Sequence, residues 1–314
     1  MNCAIFTLMA MHESFFRRPA LIFAMTFGLF FWGCELDSDK PLNKVKWIHG
    51  SADCAKNSDP RIQVYRYDSN TWILRQNKCV HYEAPFMFLF VGSNKALLMD
   101  TGATEDDKQF PLFEVVNKIL RGWEEEHATS LELVVAHTHK HSDHRAADKQ
   151  FLGKPQTTVV GLSLEEVVSF FHFENWPTQS ARIDLGNRKL EIIAIPGHDP
   201  VSIAIYDYQT KLLLTGDTFY PGRLYVRDWA AFKESIHRLY EFTTNHEITY
   251  LLGNHIEMTT TPGKDYAVET TYQPAEHILP LTVQDLKMLD RDLRLLGDNP
   301  VKKVYDHFIV YPVK

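Results

Sequence analysis

Cysteine is scarce in this chain, with four in 314 residues, and no pair is spaced Cys-x-x-Cys. A thiolate metal site of the usual spacing is therefore excluded, which turns the search for metal ligands toward nitrogen and oxygen donors. Basic charge is also short: 33 Lys and Arg stand against 40 Asp and Glu, giving a net charge of -7 and a pI near 6.1. A nucleic-acid binder needs basic surface to displace phosphate counterions, and no local basic tract supplies it here. Long apolar runs are missing too. The run over residues 19–33 has 15 mostly apolar positions without a charge, short of the ~20 that a membrane-spanning helix requires. The remainder, 45% hydrophobic and 23% charged, is ordinary for a globular protein long enough to bury a large core.

Arg17 and Arg18 precede the apolar run and Phe31-Trp32-Gly33-Cys34 closes it. A basic flank followed by a short apolar region reads as a signal peptide, and a small residue before cysteine resembles the lipobox of bacterial lipoproteins. Residues 1–33 are accordingly expected to be a leader, with Met11 an alternative start. Cys34 is the expected lipidation site and 34–60, polar and poor in pattern, a tether. An uncleaved N-terminal anchor is the alternative; either way the chain is expected to be exported and held at the cell envelope through its N-terminus. Discounting Cys3 and Cys34 leaves Cys54 and Cys79, an even pair in a compartment where disulfides persist, and these are expected to be bridged.

The densest chemistry lies in residues 131–144, Leu-Glu-Leu-Val-Val-Ala-His-Thr-His-Lys-His-Ser-Asp-His. Its short apolar start suits a buried strand. His137, His139, His141, Asp143 and His144 then put five potential ligands within eight positions, which reads as a metal site at a strand's end. Three later motifs, Pro196-Gly197-His198, Gly216-Asp217 and Gly253-Asn254-His255, also follow apolar runs, where rigid scaffolds present functional loops.

His139-Lys140-His141-Ser142-Asp143-His144 resembles the His-x-His-x-Asp-His signature of the metallo-β-lactamase superfamily, and the later Gly-His, Gly-Asp and Gly-x-His elements recur in that family's order. The resemblance implies one metal held by His139, His141 and His198, a second held by Asp143, His144 and His255, and Asp217 bridging them. Two zinc ions are the expected cofactors, with iron or manganese compatible with the same donors. It also implies that Asp100, in Asp100-Thr101-Gly102, props the metal loops without ligating. Asp199, where the family more often has Ser or Thr, is a candidate acceptor for a ligating histidine's second nitrogen.

Alternating or apolar runs bounded by turn residues predict strands over 61–67, 71–76, 86–91, 95–99, 182–185, 189–195, 202–206, 211–214, 248–252 and 303–311. Helical spacing predicts helices over 110–123, 163–171, 228–242 and 282–296. Two β-rich halves with helices outside give an α/β chain, and with the resemblance a four-layer αββα sandwich forming a single catalytic domain over 61–314. Residues 257–279 are a long irregular segment of the kind that usually carries function.

Such a centre implies hydrolysis by a hydroxide held between two cations, oriented by Asp143 and Asp217. An aspartate at 217 resembles the thioesterase, lactonase, phosphodiesterase and glyoxalase II branches; true β-lactamases often have Cys or Ser there. The expected activity is therefore hydrolysis of a small ester, thioester or lactone. Alternatives are a mononuclear iron oxidoreductase of the persulfide dioxygenase kind, a β-lactam hydrolase, and a non-catalytic envelope lipoprotein. Candidate substrate contacts are Arg223, able to pair with an acidic group, Tyr225 beside it, and Tyr272 in the long segment. Arg75, Gln76, His81, Tyr82 and Glu83 form a further polar set for the cleft.

Overall fold

Phe86, Phe88 and Phe90 alternate with Met87, Leu89 and Val91 along one strand, and the computed structural model, which describes residues 41–313, buries both sets. A strand buried on both faces needs a layer on each side. The expected leader, residues 1–33, and Cys34 lie outside the described residues.

The first sheet has the order β1-β2-β3-β4-β5-β6: β1 (Ile62–Asp68), β2 (Thr71–Gln76), β3 (Phe86–Val91), β4 (Lys95–Met99), β5 (Glu132–Ala136) and β6 (Thr157–Val159). Helix α1 (Leu112–His127) follows β4, and α2 (Leu164–Phe171) follows β6. The second sheet has the order β13-β12-β10-β9-β8-β7. Its members are β7 (Ala181–Asp184), β8 (Lys189–Ala194), β9 (Ile203–Asp207), β10 (Leu212–Gly216), β12 (Tyr250–Gly253) and β13 (Pro280–Leu281). A three-stranded sheet joins β11 (Arg223–Val226) to β15 (Ile309–Pro312) and β14 (Lys303–Val304); helices α3 (Trp229–Asn245) and α4 (Val283–Leu296) complete the chain.

Side-chain alternation sorts these elements into layers. Phe86, Phe88 and Phe90 share a central core with Leu190, Ile192 and Ala194, one sheet's inner face against the other's. Met87, Leu89 and Val91 turn the opposite way, onto Leu112, Val116, Leu120 and Trp123 of α1. Ile193 and Leu213 do the same on the second sheet, packing with Phe232 and Ile236 of α3 and Leu286 and Leu289 of α4. The result is the expected αββα sandwich. Burial contributes ~1.5–3 kcal/mol for each such large side chain, so these interfaces dominate the fold's stability. α2 starts in a capping box between Ser163 and Glu166, and Thr282 with Asp285 does the same for α4.

Arg188 ties the sheets together. Its buried guanidinium pairs with Asp207 at 2.6 Å and donates across the sandwich to the Asn70 carbonyl at 2.6 Å and Thr71 Oγ1 at 2.7 Å. Cys54 and Cys79 form a disulfide.

Two expectations are corrected. The tether does not run to Pro60: Leu42, Val45 and Trp47 are buried in the central core, because three apolar side chains in a polar stretch are enough to dock it. The predicted strand over 303–311 is two short antiparallel strands with Tyr305 and Phe308 in the turn, and residues 223–226, for which no element is predicted, form β11 against β15.

Candidate metal centre

The chemistry-bearing loops leave strands that point the same way. β4 and β5 are parallel, as are β10 and β12, and β8 runs with β10 because both are antiparallel to the β9 between them. Asp100 follows β4; His139, His141, Asp143 and His144 follow β5; His198, Asp217 and His255 follow β8, β10 and β12. One edge of the sandwich thus receives all seven candidate ligands, and two glycines make the approach possible. Gly197 has φ +142°, and a Cβ there would lie 2.5 Å from Phe232 Cα. Gly216 has φ +53°, and a Cβ there would lie 3.0 Å from Thr138 Cβ.

The donor atoms converge in two groups. Nε2 of His139 and Nε2 of His198 lie 2.9 and 3.0 Å from Nδ1 of His141. Asp143 Oδ2 lies 3.1 Å from His144 Nε2 and 3.2 Å from His255 Nε2, and those two nitrogens are 3.3 Å apart. Asp217 stands between the groups. Its Oδ2 is 3.4 Å from His144 Nε2 and 3.8 and 3.9 Å from Nε2 of His198 and His139, while Oδ1 is 3.4 Å from His255 Nε2. Tetrahedral coordination with bonds of ~2.0–2.1 Å sets neighbouring donors ~3.3–3.4 Å apart, and these separations, from 2.9 to 3.9 Å, straddle that spacing. Asp217 Oδ1 is also buried without a hydrogen bond, a costly state for a carboxylate oxygen that a cation relieves. Imidazole and carboxylate donors so arranged fit divalent metal ions.

The two groups differ in charge. Burial is the leading cause that lowers the pKa of His139, His141 and His198, keeping those rings neutral and ready to ligate. Burial also opposes charge on His144 and His255, but neighbouring carboxylates outweigh it. Asp143 and Asp217 hold His144 well above the ordinary value, and Asp217 and Asp143 push His255 up to about 10. Conversely, burial works against ionisation of Asp143 and Asp217, yet His144 and His255 hold both below the usual carboxylate range. This half of the centre demands positive charge, supplied by protons or by a cation that displaces them.

Most imidazoles are aimed by a bond to their far nitrogen. His144 Nδ1 donates to Asp100 Oδ2 (3.2 Å), His198 Nδ1 to the Tyr225 carbonyl (2.8 Å), His255 Nδ1 to the Glu83 carbonyl (3.1 Å) and His139 Nδ1 to Thr138 Oγ1 (3.2 Å). Asp100 also accepts from the Thr138 amide (2.8 Å), Thr138 Oγ1 (2.9 Å) and Asn254 Nδ2 (2.6 Å), joining its own loop to two ligand loops. It does so at φ +68°, a sparsely populated backbone state held by its surroundings. Asp199 stands near His141, 3.8 Å from Nε2, but accepts instead from the Val201 amide at 3.0 Å.

A cleft of about 410 Å³ opens over the centre, lined by Tyr225 and Glu83 among the predicted contacts. Arg223 is not available to a substrate. Its guanidinium donates to Glu257, Asp265, Tyr225 Oη and the Tyr266 carbonyl, and bonds the chain 34 to 43 positions away. Tyr272 is likewise corrected: it bridges to Gly50 and faces the His49 ring, outside the cleft lining. Arg75 is buried in a two-pronged pair with Glu276, and Gln76 is spent on Thr104 and the Ala103 amide. Tyr220 and Glu257, in the two stretches flagged for the pocket, do line it; sequence reasoning missed Arg227 and Val313 in the lining, and Asn254 as an anchor, of which only Asn254, inside the Gly-x-His element, carried a signal.

Residues 83–245 match the model of the Metallo-beta-lactamase superfamily. Among curated proteins, acyl-coenzyme A thioesterase MBLAC2 of Homo sapiens is 28% identical over 173 residues, 46% of this chain and 60% of the relative. The protein of that name from Gallus gallus is 32% identical over 82 residues, 24% of this chain and 29% of the relative. The chain thus spans 60% or less of these relatives' length. Among solved structures, the DIM-1 metallo-beta-lactamase exposed to ceftazidime superposes with a TM-score of 0.50 at 12% identity, covering 77% of this chain and all of that one. At such identity the likeness concerns the fold.

Proposed function

Since the chain belongs to the metallo-beta-lactamase superfamily and is a hydrolase of it, we propose that it is a dinuclear metal-dependent thioester hydrolase acting on a small molecule. One observation carries this reading: the Asp217 carboxylate stands between a three-histidine group and an Asp-His-His group, within 3.9 Å of donors in both. The first site is His139, His141 and His198, the second Asp143, His144 and His255, with Asp217 shared and zinc the metal best suited. Two bound divalent ions supply Lewis acidity, which polarises a carbonyl and makes water a competent nucleophile near neutral pH.

The protein's own residues do the rest. Asp143 and Asp217, ionised across the neutral range, orient the attacking water and accept its hydrogen bonds. The anchored imidazoles keep their positions without reorganising as charge develops. Overall, water adds to the carbonyl carbon, the carbon–sulfur bond breaks, and carboxylate, thiol and one proton result. Thioesters rank ahead of other esters because the curated relatives carry that activity in their names, and because position 217 offers oxygen rather than sulfur.

The test is elemental analysis of the purified protein with thiol release followed on a panel of thioesters, lactones and β-lactams. Two metal ions per chain and thioester turnover are expected. Asp217→Ala is expected to lower kcat by roughly a thousandfold, the Lewis-acid contribution being several kcal/mol. One iron per chain with oxygen uptake on a persulfide would transfer the chain to the oxidoreductase alternative. We also propose export and acylation at Cys34, a reading that the Cys54–Cys79 disulfide supports; a Cys34→Ser variant that still takes up labelled palmitate would overturn it.

A further inference from the structure

Four carboxylates line the cleft, Glu83, Asp143, Asp217 and Glu257, against one permanently charged cation, Arg227. Asp143 and Asp217 belong to the metal centre, and Glu257 is bound to Arg223. Arg227 is different: it is exposed, and among the described residues its guanidinium has no hydrogen-bond or ion-pair partner. Its backbone, in contrast, is fixed. The Arg227 amide donates to the Gly197 carbonyl at 2.9 Å, next to His198, and the preceding Val226 carbonyl accepts from the Val313 amide at 2.9 Å. An unpaired planar donor fork therefore projects from a rigid strand end beside the three-histidine group.

Charge gives the cleft a direction. Glu83, whose carbonyl holds His255, marks the end nearer the second group, and Arg227 marks the end nearer His198. An anion entering past Glu83 meets repulsion, whereas at Arg227 it gains charge-assisted, two-pronged hydrogen bonds of the kind guanidinium makes with carboxylate and phosphate. We infer that Arg227 is the specificity-determining residue of this site, selecting thioesters that carry an anionic group, carboxylate or phosphate, on the side of the scissile bond facing His198. The inference rests on the thioesterase reading above and deepens it.

Three thioesters separate the sources of that anion. Acetyl-N-acetylcysteamine is neutral, glutaryl-N-acetylcysteamine carries a carboxylate on the acyl side, and acetyl-coenzyme A carries phosphates on the thiol side. With the metal-loaded protein at about 0.1 M salt, Arg227→Gln is expected to raise KM about tenfold for one charged substrate with kcat within about twofold, and to leave the neutral thioester within about twofold on both. Arg227→Lys is expected to recover part of the loss, and higher salt to shrink it. Equal changes on all three substrates, or none on any, overturn the inference. Calorimetric binding of glutarate and of coenzyme A to wild type and Arg227→Gln keeps the two readings apart. If wild type turns over no thioester, the hydrolase reading fails, but a tenfold weaker affinity of the variant for one of these anions still supports the arginine's role. Equal affinities for both proteins refute that role independently.

Discussion

Replacing Asp100 by Asn tests whether the centre is held by its surroundings rather than by the ligands alone. The carboxylate accepts four hydrogen bonds, through Oδ1 from the Thr138 amide and through Oδ2 from Thr138 Oγ1, His144 Nδ1 and Asn254 Nδ2. An amide of the same shape cannot satisfy them all. With its NH2 on the Oδ2 side it confronts three donors, Thr138 Oγ1, His144 and Asn254; on the Oδ1 side it confronts only the Thr138 amide. The second orientation is cheaper, so the damage falls on the residue immediately before His139. Bonds to a charged acceptor contribute ~1.5–3 kcal/mol each, and one lost with the others weakened makes about 2–4 kcal/mol in the metal-free protein. At ~2–4 °C per kcal/mol for a domain of this class, Tm falls by roughly 4–16 °C. Metal affinity falls ~10- to 100-fold, the usual effect of removing a group that orients a ligand. One effect opposes this: Asp100 favours the protonated His144 that a metal must displace. It ranks behind Asp143 and Asp217 among the charges raising that pKa, so its removal relieves the smaller share and the orientation loss wins. Competition against a chromophoric chelator measures the affinity, and thermal melts of apo and loaded protein measure the rest. A variant that melts lower yet binds metal within twofold of wild type refutes the orienting role; unchanged melting refutes the network itself.

Arg188→Met leaves Asp207 buried without its cation and is expected to destabilise by ~3–5 kcal/mol in urea, with Arg188→Met/Asp207→Asn recovering part; no recovery would mean that the arginine acts through its sheet-bridging carbonyl contacts. Cys54→Ser opens a bridge between residues 25 positions apart, worth about 3.5 kcal/mol on chain-entropy grounds, and the same loss should follow a reductant in wild type but not in the variant. Lys78 is buried, and that burial lowers its pKa to about 8 from 10.5. Between those values the unfolded chain binds the proton that the folded chain has shed, so stability rises with pH across that window, by up to ~3 kcal/mol, from a penalty fully present below pH 8. The stability of wild type relative to Lys78→Met should therefore climb from pH 8 to 10.5; a flat difference would place a solvated ammonium at that position.

The layers and the ligands were legible for the same reason: both are local in sequence. Phe86 to Val91 announces two buried faces within six residues, and His139 to His144 places four donors on one short loop. Even the later ligands came with their own glycines, because a side chain delivered from a strand's end against a packed neighbour needs the backbone of Gly197 or Gly216. Short chain segments failed where few residues decided the outcome. Three apolar side chains docked the supposed tether, and β11 exists only because β15, more than 80 positions on, pairs with it.

Arg223 and Arg227 show where local reading stops. They lie four positions apart near the bridging aspartate, and residue type favours neither as the substrate's partner. The choice is made by Glu257 and Asp265, 34 and 42 positions further along, which fold back onto Arg223 and neutralise it. With that arginine occupied, the segment after Asp217 is braced against the segment after His255, since the Arg223 amide and Tyr220 Oη also donate to Glu257 Oε2. A residue cannot both brace two ligand loops and release its charge to a substrate without loosening the centre on each turnover. The division of labour between the two arginines is therefore a physical requirement of building a rigid metal site next to an anion-selecting one, and it is written in long-range pairing that no window of sequence contains.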